Sequence, residues 1–158
     1  MAETGKIRVA KDKAELVKAL VSADGTTGPF QTYADAIAFA AALGAKHKRR
    51  VPLGEISKRE PGSIGQEIFV SRGYDLVIKL LGVTTTQDIQ ILSSQEAEFE
   101  DERLRIFEEY ANGGLEILQA EVRGTVDYLE RILLLLSLER TNEQQPEDEF
   151  DLSKFISF

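Results

Sequence analysis

The sequence predicts a mainly α protein: one compact helical domain over residues 1–140, ending in a hairpin of two long C-terminal helices. A short N-terminal strand precedes it, and an acidic tail with an apolar tip occupies residues 141–158. Three observations predict this class. Stretches that alternate apolar and polar residues, the mark of a half-buried strand, are scarce. Apolar residues recur instead at helical spacing in segment after segment. Short Gly and Pro turn signals divide these segments, with no Pro-rich or Gly/Ser-rich linker and no internal repeat.

The elements follow in order. Lys6 to Val9 alternates and suits a short strand. From Asp12 to about Ser22 a helix is expected, with Leu16, Val17, Leu20 and Val21 on one face; Asp24-Gly25 and Pro29 end it. A second helix starts at Thr32, a good N-cap with Asp35 three residues on, and its Ala-rich run "AIAFAAALGA" predicts a central, closely packed helix. Gly44 is placed at its C-terminal cap. Residues 51–62 read as a loop or short strand pair, broken by Pro52, Gly54 and Pro61. Ser63 and Gln66 have capping-box spacing ahead of a short helix, Ile64 to Arg72, and a further helix runs from Tyr74 to Leu81, stopped by Gly82. "TTTQD" is read as a polar connector. From Ser94 an apolar stripe of Phe99, Leu104, Ile106, Phe107 and Tyr110 predicts a helix, broken or kinked at Asn112-Gly113-Gly114. The last helix, Leu115 to about Arg140, carries a heptad-like seam of Leu115, Leu118, Val122, Thr125, Leu129, Ile132 and Leu136. That seam reads first as core, with a homodimer face as the alternative.

Composition narrows the function classes. At 158 residues with 42% hydrophobic, the chain can bury a real core. It contains no Cys, which removes disulfides, thiolate metal sites and Cys nucleophiles and fits a reducing compartment. The N-terminus lacks the apolar core of a signal peptide, and the longest apolar run, Ile132 to Leu138, is far shorter than the ~20 residues a bilayer requires. A soluble cytoplasmic protein is expected.

Charge is segregated. Through Gln90 there are 13 Lys and Arg against 10 Asp and Glu; beyond it the numbers are 6 and 17, within a net charge of -8. The positive charge gathers in "AKHKRRVPLGEISKRE", whose cations are Lys46, His47, Lys48, Arg49, Arg50, Lys58 and Arg59, with Arg72 a candidate neighbour. Lys46, Lys48, Arg49, Arg50, Lys58 and Arg59 are the candidate nucleic-acid or anion-binding residues. Lys and Arg neutralise phosphates, and Arg adds a planar fork suited to them. Screening beyond about 8 Å lets such a face meet DNA while an acidic face points away. The plainer reading is a solvated helix end whose charges pair with the acidic half.

No catalytic residues are expected. His47 is the only histidine, its neighbours are cationic, and no metal ligand set surrounds it. "GTTGPF" and "PGSIGQE" lack nucleotide-loop spacing and read as turns. The carboxylates of "QEAEFEDERLRIFEEY" read as a solvated helix face, with Asp101 and Arg105 at i, i+4, rather than a metal site. No cofactor is expected. In the tail, Phe150, Leu152, Phe155, Ile156 and Phe158 are the candidate partner-docking residues; each is costly to leave in water, at roughly 1.5–3 kcal/mol, so they either dock on another protein or fold back onto the domain.

Four segments, "IRVAKDKAELVKALV", "GPFQTYADAIAFAAALGAK", "RRVPLGEI" and "FEEYANGGLEIL", together resemble the DNA-phosphorothioation (Dnd) system-associated protein 4 family of bacteria, over about residues 7–140. The resemblance implies a genetic setting: sulphur modification of the DNA backbone and companion restriction functions that act against unmarked phage DNA. It implies an accessory component and supplies no catalytic residues. The expected function is therefore a non-catalytic accessory protein of such a phage-defence system, binding DNA or DNA-bound restriction or modification proteins through the basic segment. Two alternatives stand beside it. One is a ribbon-helix-helix-like transcriptional regulator, with Lys6 and Arg8 on its strand. The other is a pure protein–protein adaptor.

Overall fold

A computed structural model describes residues 5–22 and 28–144 of the chain. In chain order its elements are β1 (Lys6–Ile7), a 3-10 turn (Lys11–Lys13), α1 (Ala14–Leu20), α2 (Tyr33–Lys46), β2 (Ile64–Gly65), α3 (Gln66–Ser71), α4 (Asp75–Thr86), a second 3-10 turn (Ile89–Leu92), α5 (Ala97–Val122) and α6 (Tyr128–Gln144). The mainly α expectation is met. The Asp24-Gly25 turn and the apolar tip of the tail lie outside the described residues.

The axis of the fold is the pair α2 and α5, which share the most extensive contact between elements. Small side chains make it so. Ala34, Ala36, Ala38, Ala40 and Ala41 are all buried along α2. Where the helices cross, backbone lies on backbone: a Cβ on Gly114 would overlap the Ala40 carbonyl, one on Gly113 the Arg49 carbonyl, and one on Gly44 the Tyr110 carbonyl. This corrects two expectations. Gly44 does not cap α2 but sits buried inside it, and the helix ends at His47. Asn112-Gly113-Gly114 does not break a helix; α5 runs straight through it, because the glycines serve close approach rather than a turn. The helical break falls later, at residues 123–127, where Gly124 takes a φ of 78°.

The start of α2 is as expected. Asp35 N–H donates to Thr32 Oγ1 at 3.2 Å, and Thr32 N–H donates to the Asp35 carboxylate at 3.2 Å, a complete capping box. The Ser63–Gln66 box is not formed. Ile64 and Gly65 are strand instead, paired antiparallel with Ile7 and Lys6, and Gln66 N–H donates to the Gly5 carbonyl. Gly82 does not stop α4 either. It is buried within the helix, where the absent Cβ leaves room for Arg103 and Ile91. Thr84 and Thr86 therefore belong to α4, each donating its hydroxyl back to a carbonyl four residues earlier, and Gln87 ends the helix in the left-handed region at φ 54°.

α3 and α4 close one side of the core through Phe69 and Ile78, with Phe69 edge-on to Phe107 of α5 at 5.5 Å. α6 folds back on α5 as a helical hairpin. Arg131 Nε donates to the Glu121 carbonyl across the turn, and Ile132 and Leu135 are buried. No helix of the described residues is long and apolar enough to cross a membrane.

Candidate functional site

The basic segment begins where α2 ends and crosses the helices behind it. Lys46 Nζ lies 3.0 Å from Glu139 of α6, and His47 Nε2 lies 2.5 Å from the other oxygen of that carboxylate. Arg49 Nη2 donates to Glu116 of α5 at 3.0 Å, and Arg50 Nε donates to Glu109 at 2.7 Å. The backbone joins in: Val51 N–H donates to the Glu109 carbonyl, while Asn112 Nδ2 donates to the carbonyls of Val51 and Pro52 at 3.2 Å. The segment thus ties α2, α5 and α6 together. Its charge meets the molecule's own carboxylates, the outcome of the plainer sequence reading. Burial alone would raise the Glu139 carboxyl, but hydrogen bonds from Lys46 and His47 hold it below the usual carboxylate range.

Three candidates remain outside this clasp. Lys48, Lys58 and Arg59 are exposed, and no ion pair to any of them is present among the described residues. Lys48 sits at φ 53°, just past the helix. Lys58 and Arg59 lie on an open cleft of about 600 Å³ shared with Lys11, Glu15, Glu55 and Glu60, a wall of mixed sign. Of the six sequence candidates, the structure therefore brings Lys46, Arg49 and Arg50 into one network and leaves the other three apart from it. Phe150, Leu152, Phe155, Ile156 and Phe158 lie outside the described residues.

Arg72 does not join the basic run. It grips Asp35 with Nε and Nη2, both at 2.7 Å, while Tyr74 donates its hydroxyl to the same carboxylate at 2.5 Å. Burial works against the Asp35 charge, yet these bonds and Thr32 keep its carboxyl below the ordinary range. Nearby, Tyr33 donates to Glu60 at 2.7 Å, and that bond pushes its phenol up to about 12.

Sequence reasoning missed two features. The first is Arg8 with Glu108. Glu108 is 3% exposed and accepts from Arg8 N–H at 2.6 Å, Nε at 2.9 Å and Nη2 at 2.9 Å. The second is the outside of α6. Leu129, Leu133, Leu134, Leu136 and Leu138 are all exposed, Leu133 by 54%, and Val126 ahead of the helix by 94%. The expected core seam splits at the break: Leu115, Leu118, Val122 and Ile132 are buried, whereas Leu129 and Leu136 face solvent. The available signal was the run "ILLLLSL", which is apolar on every side of a helix and so cannot all meet one neighbour.

The geometry defines a small helical protein whose cations are largely spent on internal ties and whose outermost helix is leucine-rich. The family model for DNA sulphur modification system-associated protein 4 matches residues 6–155, and the chain belongs to that family. The match extends past the 7–140 span of the resemblance, into the acidic tail. No curated protein and no solved structure matches the chain.

Proposed function

We propose that the protein is a non-catalytic adaptor of a DNA sulphur modification system and its companion phage-defence functions, joining protein components through the outer face of α6. One observation carries this reading: five leucines of α6 stand in water on a helix that buries only Ile132 and Leu135 as large apolar residues. Large apolar side chains exposed together on one short helix mark a protein–protein contact. The test is co-expression of the tagged chain with the modification and restriction proteins encoded beside it. Capture of one of them is expected, and Leu133→Glu with Leu138→Glu should abolish it. Capture that ignores both substitutions would sink the adaptor reading.

Direct DNA contact is the second reading, favoured by three exposed cations with no ion pair among the described residues, Lys48, Lys58 and Arg59. Fluorescence anisotropy on duplex DNA at two salt concentrations tests it. Binding should weaken with salt and be lost in Lys58→Glu/Arg59→Glu. The ribbon-helix-helix reading has less support. β1 pairs with β2 of the same chain, and Arg8 is committed to Glu108.

A further inference from the structure

We infer that the Leu129, Leu133 and Leu136 side of α6 receives a second copy of this chain, in an antiparallel, two-fold arrangement that leaves the Leu134 and Leu138 side to a system protein; the inference rests on the docking reading above and names the occupant of one half of that surface. The seam itself is the first argument. Leu129, Leu133 and Leu136, followed by Arg140, are spaced by four, three and four residues. That is the alternation with which one helix seats knobs in the holes of another. It is a separate stripe from Ile132 and Leu135, which are already buried within the chain. From Leu129 to Arg140 the stripe spans eleven residue steps of α6, about 16 Å, or roughly one and a half heptads.

Charge sets the partner and its direction. The N-terminal end of the seam carries Asp127 and Glu130, both exposed; the C-terminal end carries Arg140, also exposed. The Glu130 and Arg140 side chains make no ion pair among the described residues. A parallel copy would set Glu130 against Glu130 and Arg140 against Arg140. An antiparallel copy sets Arg140 of each chain against Asp127 and Glu130 of the other, twice, and centres the leucines on one another. A two-fold axis needs this self-complementarity, and the stripe has it.

Sedimentation equilibrium of the full-length chain tests the proposal. A mass twice that of the monomer is expected, dissociating on dilution. Leu133→Glu should weaken the dimer by about tenfold or more, as loss of a central apolar anchor does. Leu138→Glu, off the stripe, should leave it within about threefold. Glu130→Arg and Arg140→Glu should each weaken it, and the two together should restore it, because the swapped charges meet again only across an antiparallel pair. Circular dichroism checks that each variant is folded. A wild-type monomer at all concentrations, or a dimer indifferent to Leu133→Glu, overturns the proposal. So does a monomer that dimerises only after Phe155→Asp and Phe158→Asp, which would give the face to the chain's own terminus. A monomer that still captures a system protein through Leu133 sinks the second copy while the adaptor reading stands; a monomer that captures none sinks both.

Discussion

α2 and α6 both lie against α5, and they use their side chains in opposite ways. α2 is built largely from alanine and buries five of its seven alanines. α6 is built from leucine and leaves five of its leucines in water. Apolar area alone would rank them the other way, since a leucine gains far more from burial than an alanine. The difference lies in what each helix has on its far sides. α2 is enclosed by α5 along the crossing and by α1 and α4 beside it, so small residues let backbones meet. α6 touches α5 along one stripe and meets the end of α2 at Glu139, and its other leucines stay exposed among the described residues. The inner contact is made by fit, whereas the outer surface holds unused hydrophobic area.

The comparison is broken most severely at the crossing. Gly114→Ala places a methyl on the Ala40 backbone, which cannot rotate aside, and should cost about 3–4 kcal/mol in urea denaturation. Gly62→Ala, whose methyl would make only an ordinary contact with the Arg59 carbonyl at 4.0 Å, should stay within about 0.5 kcal/mol. Next comes the ion pair on the same helix. Arg8→Met strands a buried Glu108 carboxylate and should cost about 3 kcal/mol, and Arg8→Met/Glu108→Leu should recover much of it.

Smaller effects sharpen the picture through pH. The Asp35 carboxyl lies below its ordinary value in the folded chain. Its stabilisation is therefore complete above the unfolded value of about 3.9 and is lost as pH falls through the lower folded one. Asp35→Asn should be less stable than wild type at neutral pH by about 1–2 kcal/mol, and the gap should close below about pH 4. Smallest is the outer clasp on α5. Arg49→Gln removes an ion pair exposed on both sides and should cost about 0.5 kcal/mol, less in high salt. If Arg49→Gln proved as damaging as Gly114→Ala, the division between a fitted inside and a loosely tied outside would fail.

Local chemistry was legible where it acts within a few residues. The Thr32–Asp35 box, the Ala-rich centre of α2 and the strand near Lys6 needed only their neighbours in sequence. Misreadings came from glycines. Gly44, Gly82, Gly113 and Gly114 read as helix ends or kinks, because turns are the common use of glycine; here each lies inside a helix and makes room for a segment packed against it. The basic run was legible as a cluster, but its carboxylate partners lie from 59 to 93 residues away, from Arg50–Glu109 to Lys46–Glu139. Sequence spacing carries no trace of such pairs.

By itself, the order of residues determined that this chain is helical, where its central helix starts, that its front is basic and its back acidic, and which family it resembles. Those properties depend on composition, short-range periodicity and capping, which act within a turn or two. Only the tertiary structure decided whether the basic charge faces outward or inward, and which leucines are core. Both depend on which surfaces the packed helices bring within a few ångströms of one another.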